Sequence, residues 1–180
     1  MLTKKGSTII ESATQDGNRA CVTVEYPHHE IHEGNTYRVC KLVEDVANDA
    51  SFIYLIKVGA KYSHLTANLS CEGKCYAYFY EAPTTSADGT ALAEINMNRA
   101  STKTNTTNVF YAPTVSDNGI PLCEILINGG TGPQSIGSEV RQDTEFVMKP
   151  NTNYLIVCTN KAGLAKDINV NVQWYEESAI

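Results

Sequence analysis

Three of the four histidines of the chain fall within five positions, in His28-His29-Glu30-Ile31-His32-Glu33. Imidazole and carboxylate at this density can hold a divalent metal, move a proton or make pH-sensitive contacts. On a helix, His28 and His32 stand one turn apart, the spacing of the ligand pair in a His-Glu-x-x-His zinc helix. The order does not suit that chemistry, because no glutamate follows the first histidine directly. Pro27 and Gly34 also bracket too short a segment for a catalytic helix. On a strand, His28, Glu30 and His32 share one face while His29 and Ile31 share the other. The simplest reading is a polar face that hydrogen-bonds a neighbouring subunit or loop. His28, His29, Glu30, His32 and Glu33 are therefore the candidate subunit contacts, and no metal or cofactor is expected.

Other chemistry finds less support. Cys71-Glu72-Gly73-Lys74-Cys75 is the one close thiol pair among six cysteines. Its spacing could start a zinc site, but no second ligand pair follows at finger-like spacing. Two strand-end cysteines around a hairpin turn explain it more simply. Cys21, Cys40, Cys123 and Cys158 sit in apolar strand-like segments, where a free thiol behaves as a small hydrophobe. The glycine-rich run from Asn128 to Ser138 lacks the lysine of a phosphate loop and the glycine order of a dinucleotide fold, and reads as a surface loop. No Gly-x-Ser-x-Gly elbow occurs. Glu44/Asp45 and Glu176/Glu177 are adjacent in sequence, so each pair points apart on a strand. Nothing here indicates an enzyme. The ten tyrosines could stack on sugars, bury in a core or anchor a subunit interface.

The elements that would carry these residues are strands. In Asp167 to Trp174, Ile168, Val170, Val172 and Trp174 alternate with Asn169, Asn171 and Gln173, the period of a half-buried strand. Similar segments recur at Cys21–Tyr26, Tyr37–Leu42, Phe52–Val58, Leu65–Cys71, Tyr76–Glu81, Ala91–Met97, Val109–Thr114, Leu122–Asn128, Glu145–Met148 and Tyr154–Thr159. Leu65–Cys71 and Tyr76–Glu81 read as a hairpin about Glu72–Lys74. The Tyr-Glu-Ala-Pro-Thr at Tyr80–Thr84 is echoed by Tyr-Ala-Pro-Thr at Tyr111–Thr114, each fit to end a strand with proline at a sheet edge.

A chain of 180 residues with 42% apolar content is one domain with a substantial core. The expected fold is all-β: a β-sandwich of jelly-roll type over residues 19–180, with a polar N-terminal arm over residues 1–18 that is mobile unless docked. A closed up-and-down barrel is the alternative. Charged residues make up 19% of the chain and the net charge is −6, which argues against a broad phosphate-binding face and hence against nucleic acid. No stretch approaches the ~20 apolar residues of a membrane span. No apolar segment follows Lys4-Lys5, so folding in a cytoplasm with reduced thiols is expected.

Taken together, several segments resemble tailed-phage virion structural proteins. They are Tyr26-Pro27-His28-His29-Glu30-Ile31-His32-Glu33-Gly34-Asn35-Thr36-Tyr37, Glu81-Ala82-Pro83-Thr84, Asn96-Met97-Asn98-Arg99 with the polar tract after it, Gly129-Gly130-Thr131-Gly132-Pro133, and Trp174-Tyr175-Glu176. The resemblance spans about residues 20–177 and departs in its cysteines, where that group carries other small apolar residues. It implies a non-enzymatic head component, a decoration (cement) protein bound to the major capsid protein at the virion surface. Capsid threefold sites favour a homotrimer in such a role. Related β-sandwich modules occur at fibre bases, so a fibre-associated carbohydrate- or receptor-binding module is the alternative function.

Overall fold

The computed structural model describes residues 9–11, 21–23, 25–129, 138–141 and 145–177. Its elements follow the alternating segments. They are β1 (Ile9–Glu11), β2 (Cys21–Thr23), α1 (Tyr26–His32), β3 (Thr36–Val46), β4 (Ser51–Lys57), β5 (Tyr62–Cys71), β6 (Cys75–Glu81), β7 (Thr84–Ala87), β8 (Thr90–Ala91) and β9 (Ile95–Asn96). There follow β10 (Asn108–Tyr111), β11 (Thr114–Asp117), β12 (Ile120–Ile127), β13 (Ser138–Arg141), β14 (Phe146–Met148), β15 (Asn153–Asn160) and β16 (Lys166–Glu177). Sheet I has the order β12-β6-β15-β4-β10-β8. Sheet II has the order β13-β5-β16-β3-β9, with β14 also paired to β5. All these pairings are antiparallel. From β3 to β6, and again from β12 through β16, the chain passes back and forth between the two sheets. The protein is thus an all-β sandwich.

Burial of alternate residues holds the sheets together. On β16, Ile168, Val170, Val172 and Trp174 are buried and meet Leu65, Leu69, Tyr54, Ile56, Phe79 and Ile156 in one core. Each such aliphatic or aromatic side chain stabilises the fold by roughly 1.5–3 kcal/mol. Asn169, Asn171 and Gln173 face outward beside Arg38 and Cys40, and Arg38 Nε donates to Asn171 Oδ1 at 2.7 Å. Cys40 is exposed rather than packed as a small hydrophobe.

The Glu72–Lys74 link corrects one expectation. Residues 65–71 and 76–81 do not form a hairpin, because β5 lies in sheet II and β6 in sheet I. The link is an arch across the sandwich, and it turns Cys71 and Cys75 inward, where both are buried free thiols. Cys158 joins them: its hydrogen bond to Cys75, partly offset by that of Cys71, together with burial pushes the Cys75 thiol up to about 12.

The proline echoes prove to be one motif used twice. The likeness extends beyond Ala-Pro-Thr, at a constant offset, to Ser86/Ser116, Gly89/Gly119, Leu92/Leu122, Glu94/Glu124 and Ile95/Ile125. Ala82 and Ala112 adopt φ of 57° and 53°. Both prolines are buried at strand crossings rather than lying at sheet edges. The two copies exchange partners. β6 of the first pairs with β12 of the second, β10 of the second pairs with β8 of the first, and β7 pairs with β11 between them. This crossed ribbon lies on the outer face of sheet I, where Val115 packs on a small second cluster of Leu55, Leu155 and Val157.

Most of residues 1–18 lies outside the described residues. Within it β1 pairs with β2, in a ribbon separate from both six-stranded sheets.

Candidate assembly surface and neighbouring polar clusters

The histidine segment folds as α1, a two-turn helix with Pro27 in its first turn, where the missing N–H costs nothing. Helical spacing brings His28 and His32 together, with Nε2 atoms 3.0 Å apart. His28, His32 and Glu33 are exposed. His29 is half-buried beside the Tyr26 ring. Glu30 is buried, and its carboxylate accepts from Asn35 Nδ2 at 2.6 Å. Of the five candidate contacts, Glu30 thus fastens the helix to the link before β3 and the other four reach the surface in differing degree. Among the described residues no group of three or more His, Cys, Asp or Glu is placed to hold a metal ion.

α1 is anchored by a cluster that the sequence did not single out. Tyr26 Oη donates to Glu177 Oε1 at 2.5 Å, and Tyr26 packs edge-on against Tyr175. His64 stacks on Tyr175 with ring centroids 4.4 Å apart. Glu145 Oε1 lies 2.5 Å from His64 Nδ1 and accepts from Tyr175 Oη at 2.8 Å. Glu177 lies 3.8 Å from His64 Nε2. Burial, then the Glu145 hydrogen bond, push the Tyr175 phenol up. This arrangement clamps α1 to β16 and β5 of sheet II.

A second polar cluster closes one end of the core. Glu176 continues the inward phase of β16 one step past Trp174. Its side chain is 2% exposed. Oε1 accepts from the amides of Thr106 and Thr107 at 2.7 and 2.8 Å, and Oε2 from Thr106 Oγ1 at 3.1 Å. Lys61 lies 3.9 Å away. Beside it, Ser63 and Thr107 share a buried hydroxyl pair 2.6 Å apart.

The apolar surface lies elsewhere. β12 is an edge strand of sheet I, apolar on its inward face and in part apolar outside. Cys123, Ile125 and Ile127 pack inward, whereas Ile120, Leu122 and Leu126 remain 57%, 41% and 46% exposed. Beside them on β6, Tyr76, Tyr78 and Tyr80 form a half-buried row, with Tyr78 and Tyr80 stacked at 6.0 Å. A bulge at Pro121–Cys123 and the charge of Glu124 blunt this edge without covering it. The glycine-rich loop expected at the surface lies mostly outside the described residues, at 130–137. Among the described residues no helix is long and apolar enough to cross a membrane.

The geometry defines the chain as a β-sandwich with an apolar edge. No protein-family model matches it, and no curated protein matches it.

Proposed function

We propose that the protein is a non-enzymatic virion structural protein of a tailed phage, a decoration (cement) protein that attaches to the major capsid protein as a homotrimer. The observation that carries this reading is the edge strand β12, on which Ile120, Leu122 and Leu126 are left exposed. Three large exposed apolar side chains on one unpaired sheet edge favour an intermolecular cover. The strand orders β12-β6-β15-β4 and β13-β5-β16-β3, with the chain alternating between sheets, support the jelly-roll form common in capsid proteins. The likeness of the Tyr26–Tyr37, Glu81–Thr84 and Trp174–Glu176 segments to phage virion proteins supplies the biological setting. The exposed face of α1, with His28, His32 and Glu33, gives a second contact.

Binding to undecorated heads tests the reading. Wild-type protein should cosediment and run in solution at three times the 19.7 kDa chain mass. Leu122→Asp with Leu126→Asp should abolish cosedimentation and leave the melting temperature unchanged. Wild-type occupancy by that variant would refute this use of β12. The tyrosine row favours a second reading, a fibre-associated carbohydrate- or receptor-binding module. Saturable binding to a glycan array, lost in Tyr78→Ala and without affinity for heads, would favour it instead.

A further inference from the structure

An open cavity of about 310 Å3 lies where β3 begins and β16 ends. That volume falls at the lower end of the range for small-ligand sites, roughly 300–1,000 Å3. Buried Glu176 and Tyr37 form its floor, and Asn35 and Lys61 its sides. The exposed Thr102-Lys103-Thr104 segment forms its rim. We propose that this cavity binds a single sugar acid, a hydrophilic ring carrying one carboxylate.

The lining dictates the class. No aliphatic side chain lines the cavity, so an apolar ligand gains nothing there. The one aromatic ring, Tyr37, stacks on Trp174 within the core and presents no open face for a base or a flat sugar. The acceptors are already used. Glu176 takes the Thr106 and Thr107 amides and the Thr106 hydroxyl, and Asn35 Oδ1 takes Lys103 Nζ at 3.0 Å. The donors are not used up. Lys61 makes an ion pair at 3.9 Å, too long for a hydrogen bond, and Lys103 spends one of its three N–H groups on Asn35. Burial, and then the charge of Glu176, push the Tyr37 phenol up, so it stays protonated.

A ligand for this site therefore brings acceptors and negative charge. Two ammonium groups against one carboxylate leave a single positive charge to be matched. A phosphate site uses clustered backbone amides. Around this cavity the Lys103 amide is given to Ser101 Oγ and those of Thr106 and Thr107 to Glu176, so no free cluster of amides forms among the described residues. A carboxylate between Lys61 and Lys103, with ring hydroxyls against Thr102 and Thr104, fits what remains. A space at the lower end of the small-ligand range suits one sugar ring rather than a chain.

The inference does not rest on the assembly reading, because binding is read in solution without heads. The full chain would be titrated with glucuronate, glucose and inorganic phosphate, following backbone amide shifts of residues 102–107. Glucuronate should saturate, with glucose and phosphate at least about tenfold weaker. Lys61→Met and Lys103→Met, at half-buried and exposed positions, should melt like the parent and each lose about tenfold in glucuronate affinity. Glucuronate that fails to saturate, glucose or phosphate that binds as tightly, or both variants binding like the parent would each overturn the proposal.

Discussion

Substituting alanine for Gly89 and Gly119 measures how closely the crossed ribbon repeats itself. Both glycines have left-handed backbones, with φ of 88° and 83°. A Cβ at Gly89 would lie 2.3 Å from the Tyr111 carbonyl oxygen and 2.7 Å from that of Ala112. At Gly119 the same two distances fall on Glu81 and Ala82. Two penalties therefore add. The left-handed backbone costs a non-glycine residue about 1–2 kcal/mol. The clash falls on backbone at a strand crossing, which cannot swing aside as a flexible side chain would, so the total rises to about 2–4 kcal/mol. For a domain of this size, at roughly 2–4 °C per kcal/mol, each melting temperature should fall by roughly 5–15 °C.

Gly163 supplies the control. It has φ of 85° but nothing within 4 Å of an added Cβ. Gly163→Ala should show the backbone penalty alone, about 1–2 kcal/mol. The assay is chemical denaturation of the three single variants and the parent, with constant m-values as the check on two-state behaviour. The reasoning is refuted if Gly89→Ala and Gly119→Ala differ by more than about 1 kcal/mol, or if either costs no more than Gly163→Ala.

Further outcomes follow from the buried polar groups. Glu176→Gln should cost about 1–3 kcal/mol by denaturation, because the Thr106 and Thr107 amides lose a charged acceptor and the Thr106 hydroxyl must turn from donor to acceptor. A change below about 0.5 kcal/mol would mean that the carboxylate charge adds nothing to these bonds. Cys75 ionises near 9.0 when unfolded and is pushed up to about 12 when folded. Between these values the unfolded chain binds fewer protons, so stability is fully present below pH 9 and declines as pH rises toward 12. Denaturation midpoints at pH 8, 9.5 and 11 should fall in that order, and Cys75→Ala should flatten the decline. In native protein, exposed Cys40 should be alkylated well before buried Cys71, Cys75 and Cys158, as peptide mass spectrometry would show.

Strand periodicity carries much of this fold in plain view. The inward residues of β16 alternate from Ile168 to Trp174, and the same period carried one step further puts Glu176 on the core side. That step was the available signal for the buried carboxylate. Its partners were not legible, since Thr106 and Thr107 lie far away in sequence on an irregular segment. The Glu72–Lys74 link misled for a related reason. A short turn between two apolar segments fits a hairpin and an arch equally well locally, and only pairing with β15 and β16 decides which sheet each strand joins. The α1 segment is short and bracketed by Pro27 and Gly34, so its helical form depends on tertiary anchors such as Tyr26–Glu177 and Glu30–Asn35. The Ala-Pro-Thr echo was legible as sequence, but the partner exchange behind it is a property of three dimensions.

The outer face of sheet I permits an internal test of the assembly reading, because it holds similar residues in two conditions. Leu155 faces outward from β15 and is fully buried against the second cluster, which the crossed ribbon covers. Leu126 faces outward from β12 and is 46% exposed. Leu155→Asp places a charge in a closed apolar site and should destabilise by at least about 3 kcal/mol. Leu126→Asp places it in water and should stay within about 0.5 kcal/mol of the parent. If Leu126 serves only intermolecular contacts, its substitution will remove self-association or head binding at full thermal stability. If Leu126→Asp destabilises the isolated domain as much as Leu155→Asp, the domain itself covers this strand, and the case for β12 as an assembly edge is lost.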